Sequence, residues 1–208
     1  RGSAKICGIV DGASAASCAR LGAAAIGLNF WPRSKRFVGS VEQLGWVSEC
    51  PAGLARVGVF VNPSFDEVLS LWTGEMIHAA QLHGDEDPEF CQALQAEGIL
   101  VIKALAVRDR DSLKRMSDYP VSAVVLDAFC PGLYGGSGKT IDWDLASEAV
   151  ENEAGQKIIL SGGLKADNVA EAVRRVKPWA VDVASGVEDS PGVKNWKAVE
   201  AFVQGAAG

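Results

Sequence analysis

Eight short apolar runs, each followed by an amphipathic stretch, set the strongest constraint on what this chain can fold into. The runs are Lys5–Cys7, Ala25–Phe30, Arg56–Val61, Met76–Leu82, Ile99–Leu105, Ala123–Asp127, Lys157–Leu160 and Ala180–Val183. Most are rich in Val, Ile and Leu, too short for helices, and closed by Gly, Pro, Asn or Asp, as parallel strands buried on both faces should be. The intervening stretches read as helices: Ala13–Leu21, Val41–Val47, Pro63–Leu71, Asp87–Ala96, Asp109–Met116, Asp144–Ala149, Ala166–Val176 and Asn195–Val203. Asn62-Pro63-Ser64 and Asp87-Pro88 are start signals, because Pro fits the first helical turn, where its missing N–H is not needed.

Eight strand–helix units in 208 residues leave about 26 residues per unit, close to the minimum of a (β/α)8 barrel. The expected fold is therefore α/β, a single-domain (β/α)8 TIM barrel over residues 4–208. A doubly wound sheet is the competing architecture, but it leaves two units without a place, and no GxGxxG follows the first run. Arg1-Gly2-Ser3 lacks a Met, reads as the remnant of an expression tag, and is left outside the expected fold.

Composition narrows the function classes. With 48% hydrophobic and 22% charged residues the chain has ordinary globular make-up. A net charge of −6 argues against a nucleic-acid partner while leaving room for a small anionic ligand held by local donors. No apolar run approaches the roughly 18 residues of a membrane span, so no membrane partner is expected. The five cysteines (Cys7, Cys18, Cys50, Cys91 and Cys130) are odd in number, widely spaced and free of any CxxC pair. Neither a disulfide framework nor a zinc site is signalled, and free thiols point to the cytoplasm.

Sites in such barrels lie at the C-terminal strand ends. Those ends carry Cys7, Asn29 with the loop to Arg36, Asn62, His83, Lys103, Asp127, Ser161-Gly162-Gly163, and Asp182 with Ser185-Gly186. The glycine-bearing ends of the last two runs are where such barrels hold phosphate on backbone N–H groups. Gly135-Gly136-Ser137-Gly138-Lys139-Thr140 is not a Walker A loop, because Leu133 stands where its first Gly is required. It reads instead as a glycine lid after the sixth strand, with Tyr134 helping to cover a ligand.

Cys7 and Asp127, facing each other across the mouth, would form the acid/base pair of unlike groups that proton shuttling needs. The other four cysteines read as structural. Arg36, in a cationic segment with Arg33 and Lys35, offers a guanidinium fork for a carboxylate, against the plainer reading of a solvated loop. His78 and His83 carry no metal signature.

Taken in chain order, six segments make the sequence resemble the phosphoribosylanthranilate isomerases of tryptophan biosynthesis. They are Lys5-Ile6-Cys7-Gly8; Phe30 through Ser34 to Arg36; Gln81-Leu82-His83-Gly84; Leu126-Asp127 with Gly135-Gly136-Ser137-Gly138 and Asp142-Trp143; Leu160-Ser161-Gly162-Gly163-Leu164; and Asp182 through Ser185-Gly186 to Glu188. The resemblance implies an Amadori rearrangement of N-(5-phosphoribosyl)anthranilate to 1-(2-carboxyphenylamino)-1-deoxyribulose 5-phosphate, with no cofactor and no metal. It implies Asp127 as general acid and Cys7, as thiolate, as general base, the thiolate favoured by Lys5 or by the bound iminium. Arg36 would hold the anthranilate carboxylate, Asp182 and His83 would contact the substrate, and Gly162, Gly163, Ser185 and Gly186 would bind phosphate. The implied partner is a phosphorylated small molecule, and the resemblance admits other tryptophan-pathway enzymes.

Ala184, Ser137 and Asn195 depart from the family's frequent Ser, Thr and Asp. The related isomerase of histidine biosynthesis is an alternative, but it uses two carboxylates and an internal half-repeat. A non-catalytic phosphate-binding barrel has no need of the acid/base pair.

Overall fold

The computed structural model describes residues 2–129, 140–152 and 155–208. Eight parallel strands close into a barrel in chain order: β1 Ser3–Cys7, β2 Ala25–Asn29, β3 Ala55–Phe60, β4 Ala79–Leu82, β5 Val101–Val107, β6 Ala123–Ala128, β7 Lys157–Leu160 and β8 Ala180–Val183. Closure comes from β1 against β8, with Ser3 opposite Ala180 and Lys5 opposite Asp182. Ser3, set aside with the N-terminal tag in the sequence reading, is thus part of the barrel.

Strand alternation separates two cores. One face of each strand, including Ile6, Leu28, Leu82, Leu105, Leu126 and Val181, packs beneath the helices in a large apolar cluster. The other face supplies a small interior cluster of Val57, Ala79, Ile102, Ala104, Ala123, Val125, Ile159 and Ala180. Its four alanines suit the narrow interior of an eight-stranded barrel.

The helices are α1 Gly12–Arg20, α2 Phe65–Thr73, α3 Pro88–Ala96, α4 Arg110–Lys114, α5 Trp143–Asn152, α6 Val169–Val176 and α7 Trp196–Ala207. Side-chain oxygens of Asp11, Ser64, Asp87, Asp109 and Asn195 accept from backbone N–H groups at five of their starts. Such caps stabilise a helix by typically ~1 kcal/mol each. Asn195, where the family often has Asp, therefore does the same capping work. Ser64 moves the start of α2 past Pro63, which the sequence reading had placed inside it.

One expected helix is absent. Over Val41–Val47 the chain forms two 3-10 segments, Val41–Gln43 and Gly45–Glu49. The break falls at Leu44-Gly45, and only Leu44 and Val47 are buried, too few for an α-helical stripe. An unexpected hairpin, β9 Glu188–Ser190 and β10 Val193–Lys194, follows β8. Among the described residues no helix is long and apolar enough to cross a membrane.

Candidate active site

Continuing the inward series of each strand by twos leads from the alanine-rich interior to a polar mouth. Ala79 is followed by Gln81 and His83, Val125 by Asp127, Ile159 by Ser161, and Ala180 by Asp182. Gln81, His83, Asp127, Ser161, Asp182 and Cys7 line one cavity of about 520 Å³, within the usual range for small-ligand sites.

On the β1 side, Cys7 lies opposite Gly27. A methyl at Gly27 would stand 2.6 Å from Cys7 Sγ, so the absent side chain is what gives the thiol its room. Lys5 Nζ donates to Asp182 Oδ1 at 2.7 Å, and both side chains are buried. Burial depresses the Lys5 ammonium, but the charges of Asp182 and Cys7 outweigh it and raise its pKa. Burial pushes the Cys7 thiol up, and Asp182 adds to this, against the downward pull of Lys5, Lys194 and Arg36; the net direction is upward. Of the two thiolate-favouring groups expected from the sequence, Lys5 pulls the thiol down in the free protein, but burial outweighs that pull and Asp182, its ion-pair partner, adds to the rise. Burial also pushes Cys18 up to about 12, Cys91 up to about 11, and Cys50 upward. None of these three lines the cavity. Cys130, Tyr134 and the Gly135–Gly138 lid lie outside the described residues.

Across the mouth, Asp127 Oδ1 accepts from the Ala128 N–H at 2.8 Å, and Asp127 Oδ2 lies 3.3 Å from His83 Nε2. His83 Nδ1 is 3.4 Å from Gln81 Nε2. Lys103, named at a strand end by the sequence reading, is instead mid-strand and out of step with inward Ile102 and Ala104. It sits outside the barrel wall, 1% exposed, where Nζ donates to Gly84 O at 2.8 Å and Glu86 Oε2 at 2.7 Å. Glu86 in turn accepts from Gly84 N at 2.9 Å and Asn62 N at 2.8 Å. This buried pair holds the turn that carries His83 without entering the cavity.

Arg36 reaches across to β9. Its Nε lies 2.9 Å from Glu188 Oε1 and its Nη2 lies 2.6 Å from Glu188 Oε2. Lys194 Nζ shares the same carboxylate at 2.7 Å and also donates to the Cys7 carbonyl at 2.5 Å. Burial pushes the Glu188 carboxyl up, but hydrogen bonds and charge from Arg36 and Lys194 outweigh it and hold it below the usual range. A buried lysine and a half-buried arginine thus share one carboxylate. The Nη1 edge of Arg36 is not engaged by Glu188, and Arg36 belongs to the cavity lining. Arg33 also lines the cavity, lying over the Trp31 ring at 5.5 Å, and forms no ion pair with Glu188. The sequence reading gave Glu188 no role and omitted Lys194. Their signal is the Pro191-Gly192 turn flanked by a carboxylate and a cation, the mark of a hairpin.

The remaining wall is backbone. Gly162 and Gly163, after β7, have φ of +80° and +66°, a region that L side chains rarely enter. Among the described residues no backbone carbonyl takes their N–H groups. Ser185 and Gly186 line the same cavity from the short 3-10 turn after β8.

The family model for N-(5'-phosphoribosyl)anthranilate isomerase matches residues 4–205. The chain belongs to this family. The Geobacter sulfurreducens N-(5'-phosphoribosyl)anthranilate isomerase is 43% identical over 206 residues, covering 98% of each chain. The enzyme of that name from Rubrobacter xylanophilus is 43% identical over 204 residues, covering 97% of each. The crystal structure of the Thermotoga maritima phosphoribosyl anthranilate isomerase superposes with a TM-score of 0.89 at 38% identity, covering 100% of this chain and 99% of that one. Another solved phosphoribosyl anthranilate isomerase holds reduced 1-(o-carboxyphenylamino)-1-deoxyribulose 5-phosphate, and matches at a TM-score of 0.86 and 36% identity over 100% of this chain and 99% of its own.

Proposed function

We propose that Asp127 and Cys7 act as general acid and general base in the isomerisation this family member performs in tryptophan biosynthesis. Asp127 gives a proton to the furanose ring oxygen of N-(5'-phosphoribosyl)anthranilate. The C1–O bond breaks as the anilinic lone pair forms a C1=N iminium. Cys7 thiolate then removes the C2 proton, and the C–H electron pair closes a C1=C2 bond, returning the nitrogen lone pair. Protonation at C1 and loss of the C2 hydroxyl proton leave the aminoketose. The raised thiol of the free protein fits this order of events: the cationic iminium beside Cys7 lowers the cost of the thiolate at the step that needs it. No redox step or external proton store is required.

The observation that carries the reading is that Cys7 and Asp127 sit on inward strand positions of one cavity, between Arg36 and two glycine-bearing turns. Arg36 would take the aromatic carboxylate on its Nη1 edge, giving two cations two anions. Gly162, Gly163, Ser185 and Gly186 would take the phosphate on backbone N–H groups. Asp182 and His83 would meet the sugar. The free thiols favour a reducing cytoplasm as the setting. The test is a coupled assay with freshly made phosphoribosylanthranilate, following anthranilate-type fluorescence. Rapid protein-dependent loss of fluorescence, saturable in substrate, is expected, and loss at the spontaneous rate would refute the reading.

A further inference from the structure

Gln81 points into the cavity from β4 and is 1% exposed. Its strand neighbours in register, Val59 on β3 and Ile102 on β5, are apolar and offer it nothing. Its Nε2 faces His83 Nδ1 at 3.4 Å, while its Oε1 is buried without any hydrogen-bond partner. Three buried side-chain polar atoms among the described residues share that condition, and only Gln81 Oε1 belongs to a residue lining the cavity. Buried acceptors are almost always paired, and an unpaired one destabilises the fold. The interior just below it is Ala and Val, where an apolar side chain of the same shape would fit without that penalty. The free protein keeps a group that a ligand must complete.

We propose that Gln81 Oε1 accepts a hydrogen bond from the neutral sugar–amine segment of the substrate, an O–H or N–H donor next to the reacting carbons. The inference rests on the function proposed above. Charge chemistry decides which end of the substrate it meets. Ionised phosphate and carboxylate present acceptors only and cannot satisfy a carbonyl oxygen, whereas the sugar hydroxyls and the secondary amine carry donors. The other end of the carboxamide sets the His83 ring. With Gln81 Nε2 donating to Nδ1, the ring carries its hydrogen on Nε2, the atom 3.3 Å from Asp127. One side chain would thus hold the substrate at the reacting centre and orient the neighbour of the acid.

Gln81→Met in the full chain tests this, because it removes the acceptor and keeps the volume; Gln81→Leu is the second variant. The free variant should melt at or above the wild-type temperature, since a buried unpaired oxygen is gone. Its kcat/KM should fall roughly tenfold or more, and binding of reduced 1-(o-carboxyphenylamino)-1-deoxyribulose 5-phosphate should weaken by a similar factor. Binding of inorganic phosphate should not change. An analogue with ether oxygen in place of the amine assigns the donor: if Gln81→Met no longer matters for it, the donor is the N–H, and if it still does, a hydroxyl. Wild-type kcat/KM in a folded variant overturns the proposal. So does a lower melting temperature with equal losses for analogue and phosphate, which would make Gln81 a purely structural residue. Failure of the wild type itself to turn over substrate would instead overturn the function on which the inference rests.

Discussion

Replacing Gly27 by Ala puts a methyl carbon where Cys7 keeps its sulfur. The new carbon would lie 2.6 Å from Cys7 Sγ, 3.0 Å from its Cα and 3.1 Å from its Cβ. Non-bonded carbon contacts relax at roughly 3.5–4.0 Å, so the sulfur must retreat by about 1 Å. The backbone cannot open to make that room cheaply. Cys7 is in register with Gly27, and the N–H groups of Gly8 and Ile9 both donate to Gly27 O, at 2.9 and 3.0 Å. The thiol side chain therefore absorbs the shift. A misplacement of about 1 Å in a reacting group costs on the order of 100-fold in rate. Overpacking costs about 1–3 kcal/mol of stability, which for this chain length lowers Tm by roughly 2–12 °C. The fluorescence assay gives kcat, a thermal melt gives Tm, and titration with the reduced product analogue gives Kd. The expected result is a kcat lower by about 100-fold with analogue affinity changed by less than about threefold. A Gly27→Ala protein with a lowered Tm and an unchanged kcat would refute the claim that catalysis depends on where this thiol sits.

Arg36→Met should weaken binding of phosphoribosylanthranilate by about 1.5–3 kcal/mol, the range for hydrogen bonds to charged groups, and leave a substrate lacking the carboxylate unaffected; Arg33→Met is the control. Burial raises the Cys7 thiol, so thiolate grows as pH rises, and kcat/KM should climb about tenfold per pH unit on the approach to that raised pKa; a flat profile through neutral and mildly alkaline pH would contradict it. Glu188 is held below the usual carboxylate range, so it contributes stability above its unfolded pKa that disappears as pH falls through the folded value. Glu188→Gln should therefore flatten the acid side of a Tm-against-pH curve.

Much of this architecture was legible because buried parallel strands write themselves as short apolar runs. All eight runs became strands, although Met76–His78 and Ile99-Leu100 lie before β4 and β5. That Cys7, Asp127 and Asp182 would meet in one cavity was legible because strand ends in such barrels open onto a common mouth. Lys103 misled for a reason also present in the sequence: it is one residue out of phase with Ala104, and a single step along a strand exchanges inside for outside. Gln81 is the reverse case, in phase with His83 but read only as part of a motif. The Val41–Val47 segment had helical composition, and the break at Leu44-Gly45 outweighed it. The Pro191-Gly192 turn could mark the hairpin that carries Glu188 and Lys194, but not the meeting of Glu188 with Arg36, which closes a separation of 152 residues.

The central claim, an acid and a base of different chemical kind working on one bound sugar, is tested most directly by kcat for Cys7→Ser and Asp127→Asn, measured beside each variant's affinity for the reduced product analogue. Each substitution should lower kcat by about 100-fold or more while the analogue binds nearly as it does to wild type. Turnover close to wild type in either variant, or an affinity lost in step with the rate, would contradict the assignment.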